Sequence, residues 1–126
     1  MGFLSGLLNN ASETSKEQVF EEVRDFLIPN ESVEAGFKLI RDLLVFTDKR
    51  LIVVDKQGVT GKKIEYQSIP YKNISRFSVE TMGALDIDAE LKIWISGSEN
   101  PALSRKFSKD KGVRDVHRLL SVATLS

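Results

Sequence analysis

Few side chains in this sequence can do chemistry, and each sits in a context that restricts it. His117 is the only histidine among the 126 residues, so any Ser-His-Asp relay would have to run through it. It stands between Val116 and Arg118 with no partner motif, which predicts a partly exposed helical histidine rather than a general base. Asp86-Ile-Asp88-Ala-Glu90 sets carboxylates at alternate positions, as the start of a calcium loop does. The sixth position is Leu91, where an EF-hand needs glycine, and the twelfth is Gly97, where it needs a bidentate glutamate, so an EF-hand is excluded. A solvated acidic loop or an intersubunit salt-bridge partner is expected there, with a looser cation site as the alternative. Gly58-Val-Thr-Gly-Lys-Lys63 offers backbone donors and two ammonium groups to an anion, but it lacks the spacing and the hydroxyl of a phosphate-binding P-loop. Lys49, Lys62 and Lys63 are the candidate anion or lipid-headgroup contacts, and a solvated hairpin turn is the competing reading for the last two. No catalytic, cofactor-binding or metal-binding residue is assigned.

Composition narrows the function further. Eighteen basic residues balance eighteen acidic ones, so the net field that holds a polyanion is missing and nucleic-acid binding is not expected. The absence of cysteine removes disulfides, thiolate metal sites and cysteine nucleophiles, and suits a reducing cytoplasm. The first residues carry no basic n-region, and their apolar run breaks at Asn9 and Asn10, so neither a signal peptide nor a membrane span is expected. Gly6 stands where a myristoylation signal needs serine or threonine. At this length, with 41% hydrophobic residues, the chain can bury one core.

The elements that must position these residues follow from periodicity. Phe3, Leu4, Leu7, Leu8 and Ala11 recur at helical spacing and predict a short docking helix. Thr14 and Glu17 have the spacing of a capping box, and a second helix is expected with Val19, Phe20, Val23, Phe26 and Leu27 on one face, stopping at Ile28 before Pro29. From residue 32 the pattern is β. Strands are expected over 32–40, 43–47, 51–54, 64–69, 74–81 and 90–96, with a less marked one over 103–107. A tight turn over 47–50 joins the second to the third. In the sixth, Leu91, Ile93 and Ile95 point one way, and Lys92 and Trp94 the other. Tyr66 and Tyr71 are expected to pack on strands with exposed hydroxyls. Val113, Val116, Leu120 and Ala123 form a final helical stripe, with Asp110 as the expected N-cap. Short strands joined by hairpins, with one terminal helix, predict a sandwich or barrel closed by that helix.

Four segments together resemble the bacterial PH-like (pleckstrin-homology-like) domains: Asp42-Leu-Leu-Val-Phe-Thr-Asp-Lys-Arg-Leu-Ile52, Gln57-Gly-Val-Thr-Gly-Lys-Lys63, Tyr66-Gln-Ser-Ile-Pro-Tyr71, and the run from Glu80 to Trp94. The resemblance covers residue 32 to the C-terminus. It implies a mainly β fold with helices, in which a seven-stranded, bent antiparallel β-sandwich or barrel is capped by a C-terminal α-helix. Residues 1–31 are then an N-terminal helical extension and residues 32–126 the PH-like domain. The resemblance also implies ring-like homo-oligomers. In eukaryotic PH domains phosphoinositides meet a basic loop between the first two strands, whereas that connection here is only about Arg41-Asp42.

One feature of the residues themselves points the same way. Both faces of Leu43-Leu-Val-Phe46 and Leu51-Ile-Val-Val54 are apolar, and a two-layer domain of this size needs only one face buried. The N-terminal helices or a neighbouring subunit must cover the second face. Leu43, Val45, Phe46, Leu51, Val53 and Trp94 are therefore the candidate oligomer interface, and the expected function is a non-enzymatic, cytoplasmic binding and assembly module with a protein or peptide partner. The alternative is a peripheral domain that binds an anionic lipid headgroup through Lys49, Lys62 and Lys63.

Overall fold

The computed structural model describes residues 15–39, 42–57, 62–81, 89–107 and 112–126. The expected first helix, the loop over 58–61, Asp86, Asp88 and the Asp110 cap lie outside these residues. Two units divide the chain, Met1–Pro70 and Tyr71–Ser126.

In the first unit, helix α1 spans Lys16–Val23. Its cap is Ser15, whose hydroxyl oxygen accepts the Gln18 backbone N–H at 3.3 Å. The capping pair thus sits one residue later than Thr14 and Glu17, because Ser15 and Gln18 have the same spacing. The helix does not reach Ile28. It tightens after Val23 into a 3₁₀ turn over Arg24–Phe26, and Leu27 is already extended. Pro29 and Asn30 then form a tight turn. Proline presets the second position of a turn and disfavours helix at Ile28, while Asn30 supplies the left-handed third position with φ 68°, and the Glu31 N–H returns to the Ile28 carbonyl at 3.1 Å. The chain is thereby folded back into the sheet.

Strands β1 (Val33–Lys38), β2 (Asp42–Thr47), β3 (Arg50–Gln57) and β4 (Lys63–Pro70) follow in sheet order, all antiparallel. Register sorts the two-sided apolar hairpin into faces. Val45 opposite Ile52 and Leu43 opposite Val54 share one face, and Leu44 opposite Val53 and Phe46 opposite Leu51 share the other. On the first face Val19 and Val23 of α1 pack with Val45, Ile52 and Val54. On the second, Phe37 meets Phe46 edge-on, with ring centroids 6.0 Å apart. The helix can lie this close because Gly36, opposite Val45, has no side chain: a Cβ there would come within 2.3 Å of Val19 Cγ2. Strand β4, at the sheet edge, is less covered than its alternation suggested. Ile64 is exposed, Tyr66 half-buried and Ile69 buried.

In the second unit a 3₁₀ turn (Tyr71–Asn73) leads into β5 (Ile74–Thr81), β6 (Ala89–Ile95) and β7 (Leu103–Phe107), paired in that order and antiparallel. Tyr71 lies buried in the turn, not on a strand as expected. Helix α2 (Val113–Leu125) packs on β5 and β6 and buries Val113, Val116, Leu119 and Leu120. Gly112 is its cap, at φ 78°, where a side chain would be strained, and the Val116 N–H bonds its carbonyl at 2.9 Å. The seven expected strands and the C-terminal helix are present, and the strands form two open sheets, of four and three strands, rather than a closed barrel.

Replacing Gly36 by alanine forces a methyl group into Val19, so G36A should cost about 1–3 kcal/mol by overpacking. Urea unfolding would show this as a lower midpoint with an unchanged slope. A variant as stable as the wild type would mean that α1 does not seat on the sheet at this distance.

Candidate functional site

The sequence-derived interface residues are placed as follows. Val45, Phe46, Leu51 and Val53 are buried within the chain, whereas Leu43 and Trp94 are half-buried. The hairpin face of Leu43, Val45, Ile52 and Val54 is covered by α1 of the same chain, so the two-sided apolarity that motivated the assembly expectation is met there within the chain. The lysines do not converge. Lys49 lies in the β2–β3 turn, 3.8 Å from Asp48. Lys62 and Lys63 are exposed at the far end of the β3–β4 ladder. Seven strand steps of about 3.3 Å each put the two ends roughly 23 Å apart. His117 is exposed on α2 and meets Phe77 edge-on at 5.1 Å. Glu90 accepts a hydrogen bond from the Ser104 hydroxyl and lies 4.0 Å from Lys92. Among the described residues no group of histidine and carboxylate side chains is arranged to hold a metal ion.

The most ordered polar group is one that sequence reading passed over. Glu31 leaves the Pro29-Asn30 turn with its side chain fully covered, and its carboxylate is saturated with donors. Arg50 contributes Nε to Oε2 at 2.9 Å and Nη2 to Oε1 at 2.8 Å. The Thr47 hydroxyl donates to Oε2 at 2.6 Å, and the Ile28 N–H to Oε1 at 3.1 Å. Arg50 also donates to the Phe26 carbonyl and to the Ser68 hydroxyl at 3.0 Å. Burial alone would raise the Glu31 pKa, but the bonds from Arg50, Thr47 and Ile28 outweigh it, and the group is held below its ordinary value. Thr47 Oγ1 in turn accepts the N–H groups of Lys49 and Arg50, and Asp48 Oδ1 accepts that of Ser32 at 2.9 Å, so the β2–β3 turn is tied to the entry of β1. A Thr and an Arg flanking a two-residue turn, with a Pro-Asn-Glu turn upstream, was the available signal.

Around this network the expected apolar stripe of α1 divides. Val19 and Val23 are buried, but Phe20 is 43%, Phe26 46% and Ile28 54% exposed. A stripe at five of nine positions is wider than one face of an eight-residue helix, and the 3₁₀ turn rotates Phe26 out of line. Phe26 instead stacks on Tyr66 of β4, with ring centroids 4.2 Å apart. Tyr66 donates to Glu22 at 3.2 Å; burial and then this carboxylate push its pKa up. A groove of about 440 Å³ runs beside Phe20 and Val33, edged by Glu17 and Glu21. Over Lys16–Phe26 two cations face four carboxylates, giving this apolar surface an acidic rim.

Comparison with known proteins agrees with the architecture. The sequence pattern described as Bacterial PH domain matches residues 2–124. YjqA of Bacillus subtilis is 61% identical over 125 residues, 99% of this chain and 100% of that protein. YozO of the same organism is 28% identical over 101 residues, 80% of this chain and 85% of its own. The crystal structure of a pleckstrin homology domain from Shewanella amazonensis superposes with TM-score 0.82 at 46% identity, covering 99% of this chain and 100% of that one. A DUF1696 family protein with a pleckstrin-homology domain from Shewanella loihica gives 0.77 at 43%, covering 93% and 99%.

The Glu31 pKa is lowered on folding, so its ionisation contributes stability above the unfolded value, near 4.5, and that contribution is lost as pH falls through the lower folded value. Unfolding midpoints should therefore drop below about pH 4.5, and E31Q should flatten that part of the profile. R50A leaves a covered carboxylate without its partner and should cost about 3–5 kcal/mol at pH 7. Equal acid profiles for wild type and E31Q would contradict the assignment.

Proposed function

This chain belongs to the bacterial PH domain family, and we propose that it is a non-enzymatic binding and assembly module, self-associating through the α1 surface and engaging a protein or peptide partner. The observation that carries the reading is the exposure of Phe20, Phe26 and Ile28 together, while most other large apolar side chains among the described residues are covered. Three such residues along one short segment exceed the scattered apolar exposure of an ordinary surface. Aromatic anchors within a charged rim are also the composition of a protein–protein contact. This reading puts the contact on the outer side of α1 in place of the β2–β3 hairpin that the sequence pattern suggested. The family premise and the aromatic setting of the only histidine support a non-catalytic role. A single anionic-headgroup site fits less well, because Lys49 is at the opposite end of the ladder from Lys62 and Lys63.

Light scattering coupled to size exclusion tests this directly. The wild type should elute as one discrete species of several subunits at micromolar concentration, and the double variant F20S/F26S should move to the monomer mass of 14.1 kDa. Because both side chains are well exposed, the variant should keep its circular dichroism. A wild-type protein at the monomer mass across the concentration range would overturn the assembly reading.

A further inference from the structure

We propose that the face of the β5–β6–β7 sheet turned away from α2 binds an acidic polypeptide segment, recognised by Arg76 stacked on Trp94 and by Lys92. This goes beyond the assembly reading and does not rest on it. Strand register builds the face: Arg76 lies opposite Trp94, Ser78 opposite Lys92 and Lys92 opposite Ser104, while Glu80 opposite Glu90, with Lys106 beside Glu90, takes the end away from Trp94. Alternation puts these side chains on one side of the sheet, while Phe77 on the other side meets His117 of α2. Arg76 and Ser104 are exposed, and Trp94 and Lys92 half-buried.

The chemistry lies in the Arg76–Trp94 pair. The guanidinium sits 4.0 Å from the indole centroid. Lying over the ring, the guanidinium is shielded from water on one side and restricted in motion, which favours the binding of a carboxylate to its planar fork. Among the described residues no carboxylate forms an ion pair with it. Lys92 is only loosely engaged, 4.0 Å from a Glu90 oxygen, and Glu90 already accepts the Ser104 hydroxyl. The end of the face nearest Trp94 therefore carries two underused cations beside an aromatic surface.

Their spacing selects the ligand. Arg76 and Lys92 are diagonal neighbours on adjacent strands, about 7–8 Å apart. Alternate residues of an extended chain are roughly 6.6 Å apart and point the same way. A segment with glutamates at alternate positions can thus place one carboxylate on each cation while its backbone and side-chain stems lie over Trp94.

Trp94 is the only tryptophan, so its emission reports on this face alone. Titrating the full-length protein with a twelve-residue peptide of alternating glutamate and serine should change that emission saturably, less so as salt rises. The corresponding lysine–serine peptide should have no effect. K92Q and R76Q should each weaken binding about fivefold without altering the fold by circular dichroism, and R76K should recover only part of the loss, since lysine keeps the charge but not the planar fork. The proposal is overturned by an unchanged emission up to millimolar peptide, by equal affinity in the K92Q/R76Q double variant, or by inorganic phosphate reproducing the full response. An emission change that follows protein concentration and solution mass rather than peptide would assign the face to contact between copies and would likewise overturn it.

Discussion

A covered carboxylate must be answered by donors, and in the first unit that requirement is met at Glu31 by parts of the chain that are remote in sequence. Arg50 supplies a two-pronged ion pair, Thr47 a hydroxyl and Ile28 a backbone N–H. The same guanidinium bonds the carbonyl of Phe26 and the hydroxyl of Ser68. One cluster thus joins the end of the helical segment, the entry of β1, the β2–β3 turn and the last residues of β4. Desolvating such a pair is costly, and its hydrogen bonds repay the cost only when every oxygen is satisfied, which demands a single geometry. The pair is better seen as a device that holds the N-terminal segment in one register than as a large net source of stability.

That register decides what α1 covers and what it leaves open. With the chain pinned at Phe26 and Glu31, Val19 and Val23 fall over Gly36, Val45 and Ile52, and that apolar face of the hairpin is buried. The same placement turns Phe20, Phe26 and Ile28 outward. An apolar sheet face is thereby exchanged for an acidic, aromatic surface on the helical segment. The change matters for function, because a sheet face covered internally is core, whereas exposed aromatic residues within a polar rim are available to a partner.

The second unit uses its two sheet faces differently. α2 packs on one through Val113, Val116, Leu119 and Leu120, and the other carries alternating charged and hydroxyl side chains around Trp94. A lone large aromatic on such a face is stabilised locally by the arginine that stacks on it. Surfaces of contrasting character therefore lie on separate units, an acidic apolar one on the first and, on the second, one of mixed charge with Arg76 and Lys92 beside Trp94. A fold does not by itself identify a ligand, so any partner has to be argued from the chemistry of each face.

Local chemistry made much of the architecture legible. Period-2 alternation marked the strands, Gln57 to Gly61 and the Thr47 to Arg50 turn separated them, and the stripe from Val113 to Leu120 announced the closing helix, since each signal depends only on neighbouring residues. Cap positions were less legible because a shift of one residue, from Thr14 and Glu17 to Ser15 and Gln18, preserves the pattern. Long-range contacts were not legible at all. Whether the second face of Leu43 to Val54 needs a partner depends on a missing Cβ at Gly36 and an ion pair between residues nineteen apart in sequence. The pairing of Arg76 with Trp94 depends on strand register. Composition and periodicity by themselves determined a mainly β chain with a terminal helix and no obvious catalytic group. Only the tertiary structure decided which apolar residues are core and which are surface, because burial is a property of what packs against a residue and not of the residue itself.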